Sequence, residues 1–208
     1  MTARTDPSPR GPAGPFALAG DVPALFTSRL ELVPVTLAVV EAVFRGDRDE
    51  IERLSGARLP DAWPGKALIE RAFSVSLEAI RADPPARLWG DRLMVLRDEP
   101  PTLHRADARF TRRVVGSVVF HGAPDDDGVT EIGYGVEEES QHHGFATEGV
   151  CASVAWALAQ PGCRAVRATT FSWHRASIRV IEKAGMRQIG TREHDMLGEM
   201  LVFEVRPR

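Results

Sequence analysis

Apolar residues along this chain switch between two periods, and the switches mark its elements. RLELVPV (29–35) alternates Leu30 and Leu32 with charged neighbours, as a strand does, with Pro34 near its end or at an edge. TLAVVEAVFRGDRDEIERLSG then carries apolar residues at helical spacing, and Gly46 divides it into two helices. LPDAWPG reads as a turn. Leu68, Ile69, Phe73, Leu77 and Ile80 predict one longer helix from Lys66 to Ala82, stopped by Asp83-Pro84-Pro85.

Strand signals follow at 88–98, 112–122 and 129–137, with a loop over 99–111. The APDDDG turn (123–128) makes the last two an antiparallel hairpin. After Gly144 the period returns to helical, with Val150, Val154 and Leu158 four apart, until Gln160-Pro161-Gly162. RAVRATTFSW (164–173) predicts a strand, RASIRVIEKAG (175–185) a helix stopped by Gly185, and MRQIGTR and GEMLVFEV two strands around the turn REHDMLG. This order gives an α+β or mixed α/β domain around one central sheet.

Residues 1–25, rich in Pro, Gly and Ala, show neither period and read as a flexible arm before a single domain over 26–208. At 208 residues, 43% of them hydrophobic, one domain can bury a sizeable core. The 26 basic against 29 acidic residues leave a net charge of -3, which argues against nucleic acid as the main ligand. Cys151 and Cys163 lack zinc-like spacing, so no metal is expected. No apolar run approaches a membrane span and no signal-like start is evident, so the expected location is cytoplasmic.

Candidate chemistry centres on SQHHGFATEG (140–149). A strand, a short glycine turn and a helix start bring unpaired N–H groups and the positive end of a helix to one spot. In Gln141-His142-His143-Gly144-Phe145-Ala146-Thr147, Gly144 and the small Ala146 allow an anion close to the backbone, as a diphosphate requires. The alternative is an ordinary strand-to-helix turn. Neither the GxxxxGK[ST] loop nor GxGxxG is present.

EIGYGVEEESQHHGFATEG, followed after a helix and a strand by WHRASIRVIEKAGMRQIG, resembles the Gcn5-related N-acetyltransferase superfamily. Within it the chain is similar to the branch of ribosomal-protein N-terminal acetyltransferases, and TSRLELVPVT (27–36) resembles that branch's opening strand. The resemblance covers about residues 27–206. It implies a mostly antiparallel, twisted central sheet flanked by helices, with two strands splayed around the donor. The donor it implies is acetyl-CoA, its pyrophosphate on the loop from Gln141 to Ala146, with Thr147 following in the first helical turn, and its pantetheine along the strand ending near Val136. The acceptor it implies is a primary amine, on a protein N-terminus or a small molecule, attacking the thioester directly.

By the same resemblance the backbone N–H near Val136 receives the oxyanion, Ser177 meets the leaving sulfur, and Glu131 on the central strand is the first choice of base. A serine at a helix start also serves as a cap. Glu193, His194 and Asp195 are a competing acid–base cluster. Three departures stand out. His142 and His143 occupy positions that usually carry Arg or Lys, and supply only pH-dependent charge. His174 replaces an Asn that contacts the pantetheine arm. No late tyrosine is present; Tyr134 is the only one. These departures keep open a non-catalytic acyl-CoA-binding sensor of the same fold. The run Glu137-Glu138-Glu139 is expected to point into solvent, and Trp63, Phe73 and Trp89 to fill core or line the acceptor pocket. Edge pairing of the last strands leaves a homodimer open.

Overall fold

The computed structural model describes residues 22–61, 76–97, 112–194 and 198–207. Among these, eight strands form one sheet in the order β1-β2-β3-β4-β5-β6-β8-β7. They are β1 (Leu25–Phe26), β2 (Leu30–Pro34), β3 (Arg92–Leu96), β4 (Arg113–Phe120), β5 (Val129–Val136), β6 (Ala165–Phe171), β7 (Arg187–His194) and β8 (Gly198–Val205). Every pairing is antiparallel except β5 with β6, which a helical crossover joins in parallel.

Helices α1 (Leu37–Arg45), α2 (Arg48–Ser55), α3 (Leu77–Ala82) and α4 (Pro84–Arg87) precede β3. Thr36 and Asp47 cap α1 and α2 by accepting the Val39 and Glu50 N–H groups, and Gly46 ends α1 at a φ of 67°. Helix α5 (Phe145–Leu158) links β5 to β6, and α6 (Arg175–Lys183) links β6 to β7. The helices cover the sheet in two layers. Leu32, Met94, Val118, Phe120, Ile132 and Val166 pack with Val150, Val154 and Ile181 of α5 and α6. Leu93, Val95 and Val114 belong to a separate cluster with Val39, Ile51 and Ile80 of α1 to α3. Gly149 allows α5 its close approach, because a Cβ there would stand 2.5 Å from Met94 Sδ.

Several boundaries differ from the sequence reading. The helix predicted over 66–82 does not run through Ser76, which is extended (ψ 150°) and caps α3 through the Ala79 N–H. Asp83-Pro84-Pro85 ends α3 as expected, yet also starts α4, since a proline at the first helical position costs no hydrogen bond. The strand predicted over 88–98 shrinks to β3, because Leu88 ends α4 and Trp89 is buried against Phe120 and Trp156. Trp89 is thus a core residue, whereas Trp63 and Phe73 lie outside the described residues. Strand β7 runs on to His194, so Glu193 and His194 belong to a strand rather than a turn, and Asp195 lies outside the described residues. Leu25 and Phe26 pair with Leu32 and Glu31, so the sheet begins at the edge of the expected arm; residues 1–21 are not described.

Candidate active site

β5 and β6 start out as partners and then separate. Val129, Thr130 and Glu131 pair with Ala165, Val166 and Arg167, but no pair joins Ile132–Val136 to Ala168–Phe171. Each strand keeps its other neighbour: β5 stays with β4 as far as Val136, and β6 with β8 as far as Phe171. A wedge therefore opens in the sheet, closed at Glu131 and widening toward the ends of both strands. The peptide groups of Glu131 and Glu137 bond β4, through His121 N–H to Glu131 O and Glu137 N–H to Val115 O, both 2.9 Å. Alternation then turns the peptide groups of Tyr134 and Val136 into the wedge. The Gln141 amide donates to Val136 O at 3.2 Å, which leaves the Val136 N–H facing the opening beside the Tyr134 peptide groups.

The open end of the wedge leads into the glycine loop. A 3-10 turn, Glu138–Ser140, buries Ser140, whose hydroxyl accepts from Arg113 Nη1 at 2.8 Å. His142 (φ 63°) and Gly144 (φ 82°) take left-handed conformations, and His142 is the only non-glycine residue to do so among the described residues. Gly144 stands at the N-cap of α5 with no side-chain cap, and the first intrahelical bond is Glu148 N–H to Gly144 O at 3.1 Å. The N–H groups of Phe145, Ala146 and Thr147 thus have no acceptor within the helix. His143 Nδ1 lies 2.6 Å from Gln141 O, with its ring stacked 5.7 Å from Phe145.

Behind this loop stands a group that the sequence reading missed. Glu148 Oε1 accepts from Thr27 Oγ1 (2.5 Å), Ser28 Oγ (3.0 Å) and the Arg29 N–H (2.8 Å), while Oε2 accepts from Arg29 Nε at 2.8 Å and pairs with Arg29 Nη2 at 2.6 Å. Burial pushes the Glu148 carboxyl up, but donors from Thr27, Arg29 and Ser28 outweigh it and hold it at about 2. Arg29 also donates to His143 O at 2.8 Å and lies 4.7 Å over the Phe145 ring. The residues are more than a hundred positions apart in the chain, and no local pattern announces the contact.

On the face of the wedge toward α5 and α6, Tyr134 Oη lies 2.9 Å from Ser177 Oγ and 3.0 Å from Ser177 O. Burial pushes the Tyr134 hydroxyl up to about 12, against a smaller lowering by Ser177, so it stays protonated at neutral pH. Ser177 is not the cap of α6; His174 holds that position without a side-chain cap bond, its Nδ1 3.5 Å from Thr170 Oγ1. Tyr134 and Ser177 therefore meet beside the sheet opening, with His174 at the start of the same helix as Ser177.

Glu131 lies on the opposite face, as strand alternation predicts. It accepts from Thr169 Oγ1 at 2.5 Å and pairs with Arg192 at 3.3 Å, its side chain 18% exposed. His121, overlooked in the sequence because it ends a strand before a glycine turn, shares this face; its Nε2 lies 3.8 Å from where a Cβ on Gly133 would stand. Glu193 faces Glu199 across the β7–β8 register, and His194 packs edge-on against Phe171. Of the acidic run, Glu138 and Glu139 are exposed, but Glu137 is half-buried and its carboxyl is pushed up by burial, contrary to the expectation of a wholly solvated run. Both cysteines are free and burial pushes their thiols up. No group of His, Cys, Asp or Glu among the described residues could hold a metal ion, and none of the described helices is long and apolar enough to cross a membrane.

Known proteins resemble this chain in sequence and in fold. Residues 29–187 match the model of the acetyltransferase (GNAT) domain family. An uncharacterized N-acetyltransferase of Bacillus subtilis, YoaA, is 26% identical over 171 residues, spanning 81% of this chain and 85% of that protein. Among solved structures, the ribosomal-protein-S5-alanine acetyltransferase of Vibrio fischeri superposes with a TM-score of 0.55 at 11% identity, covering 89% of this chain and 97% of that one. RimL, the ribosomal L7/L12 alpha-N-protein acetyltransferase in complex with coenzyme A, gives 0.53 at 12% identity, covering 86% and 95%.

Proposed function

The chain belongs to the GNAT acetyltransferase family, and from that premise we propose that it moves the acetyl group of acetyl-CoA to a primary amine by direct attack. The observation that carries the reading is the wedge between β5 and β6, whose open end meets the free N–H groups at the start of α5. The pyrophosphate sits on the loop Gln141–Thr147, where Gly144 and Ala146 leave the backbone open and His142 and His143 border it. The pantetheine arm enters the wedge beside Val136, with His174 on its other side.

In the reaction the amine lone pair forms a bond to the thioester carbon and the C–S bond breaks. The oxyanion that forms between these events accepts from the Val136 N–H. The thiolate takes a proton or hydrogen bond from the Ser177 hydroxyl, and Tyr134 holds that hydroxyl in place. The amine's own proton leaves on the opposite face, through water, to Glu131; His121 is the second group there able to take it. The acceptor is a protein N-terminus or a small amine, in keeping with the names of the structural relatives, one of which is the microcin self-immunity acetyltransferase MccE in complex with acetyl-CoA and AMP.

The test is release of free coenzyme A thiol from acetyl-CoA in the presence of N-terminal peptides, polyamines and aminoglycosides. Turnover with at least one amine, with the acetyl group found on its nitrogen, is the expected result. Tight donor binding with no thiol release from any amine would instead make the protein a binding module.

A further inference from the structure

We infer that Arg29, immediately before β2, is a phosphate-binding residue of the donor site and supplies the permanently cationic N–H donors that the loop itself lacks. This inference rests on the acetyl-CoA reading of the same loop. Residues Gln141–Thr147 contain no Lys or Arg, only His142 and His143. Among the described residues, Arg29 is a cation that the fold brings to them, with Nη1 2.8 Å from His143 O and Nη2 3.6 Å from the position of a Cβ on Gly144. A Cβ on Gly144 would meet nothing else within 4 Å, so the space beside the loop is open apart from this guanidinium.

The hydrogen-bond inventory of Arg29 supports a ligand role. A guanidinium has five N–H bonds. Nε and one N–H of Nη2 go to Glu148 Oε2, and one N–H of Nη1 goes to His143 O. The remaining N–H on Nη1 and on Nη2 are left for an anionic partner. The side chain is 45% exposed, so an anion can reach it. Glu148 offsets part of the guanidinium's charge, but it occupies only one side of it, so the N–H groups on the other side still offer an anion directed, charge-assisted hydrogen bonds. It acts as a tether that fixes both the orientation of Arg29 and the first turn of α5. The 27–29 turn and the loop are thereby one binding unit assembled from opposite ends of the fold.

The test compares two donors: acetyl-CoA, and S-acetylpantetheine, which lacks the nucleotide and all three phosphate groups. For Arg29→Gln we expect the dissociation constant for acetyl-CoA to rise about ten- to a hundredfold, the loss of one or two charge-assisted hydrogen bonds. The preference of the protein for acetyl-CoA over S-acetylpantetheine should shrink by the same factor, and the salt dependence of acetyl-CoA binding should become shallower. Arg29→Lys should recover part of the affinity. Thr27→Val, which loosens the tether but keeps the charge, should weaken acetyl-CoA binding less than Arg29→Gln does, and a thermal melt on each variant confirms that it is folded. Equal weakening of both donors, or an unaltered preference and salt dependence, would overturn the inference while leaving the donor site in place. Wild-type protein that does not bind acetyl-CoA would instead overturn the reading beneath it.

Discussion

Replacing Ser177 by Ala, Tyr134 by Phe, and both together tests how the leaving thiolate is met. Ser177 is nearly buried, 9% exposed, and its hydroxyl is held 2.9 Å from Tyr134 Oη, which is itself within 3.0 Å of the Ser177 carbonyl. If the serine hydroxyl serves the sulfur, its loss removes a proton-donating contact made in the transition state, and such contacts contribute about a hundredfold or more. Tyr134→Phe removes only the partner that orients that hydroxyl. One neutral hydrogen bond contributes about 0.5–1.5 kcal/mol, so the expected drop is roughly three- to tenfold. Because the tyrosine acts through the serine, the double variant should be no slower than Ser177→Ala alone. The assay is steady-state thiol release, read as kcat and kcat/KM falling together, with acetyl-CoA affinity and melting temperature followed in parallel. Double-variant losses equal to the product of the single ones, or Ser177→Ala with an unaltered kcat, would refute the relay.

Glu131→Gln should lower kcat/KM about a hundredfold if this carboxylate takes the amine's proton; a loss under about threefold, with a large one for His121→Ala, would move the base to His121. Glu148 is held at about 2, well below its ordinary 4.5, so its contribution to stability is fully present above pH 4.5 and is lost as pH falls toward 2. Urea midpoints of wild type and Glu148→Gln should therefore differ at pH 6 and converge near pH 2; parallel curves across that range would contradict this. Gly149→Leu should destabilise by about 1–3 kcal/mol or more in denaturant unfolding, since even a Cβ would stand 2.5 Å from Met94 Sδ; a stability equal to wild type would mean that α5 can lift off the sheet at no cost.

The parts of this fold that were legible in the sequence are those governed by local periodicity. Leu30 and Leu32 alternate into the core as a half-buried strand should, and Val150 and Val154 line the inner face of α5. The strand-to-helix turn at Gly144 was also legible, because a glycine in the left-handed region before a helix is a local backbone requirement. What depended on distant partners was not. Thr27, Ser28 and Arg29 look like an unremarkable strand entry until α5 brings Glu148 to them. Ser177 reads equally well as a cap, and only the fold shows that Tyr134 holds it. The extent of β7 escaped the reading because all its residues are exposed, so no apolar alternation marks where it ends. The break at Ser76 had a signal, a serine just before an apolar helical run, but the longer pattern of Leu68, Ile69 and Phe73 obscured it.

The most direct test of the account is a calorimetric titration of acetyl-CoA into the wild-type protein and into Gly144→Glu. The substitution puts a carboxylate on a residue with φ 82°, beside the N–H groups that are to receive the pyrophosphate. Saturable binding by the wild type and its loss in the variant are expected, with the variant still folded by circular dichroism. Failure of the wild type to bind, or equal binding by both proteins, would contradict the claim that this loop holds the donor.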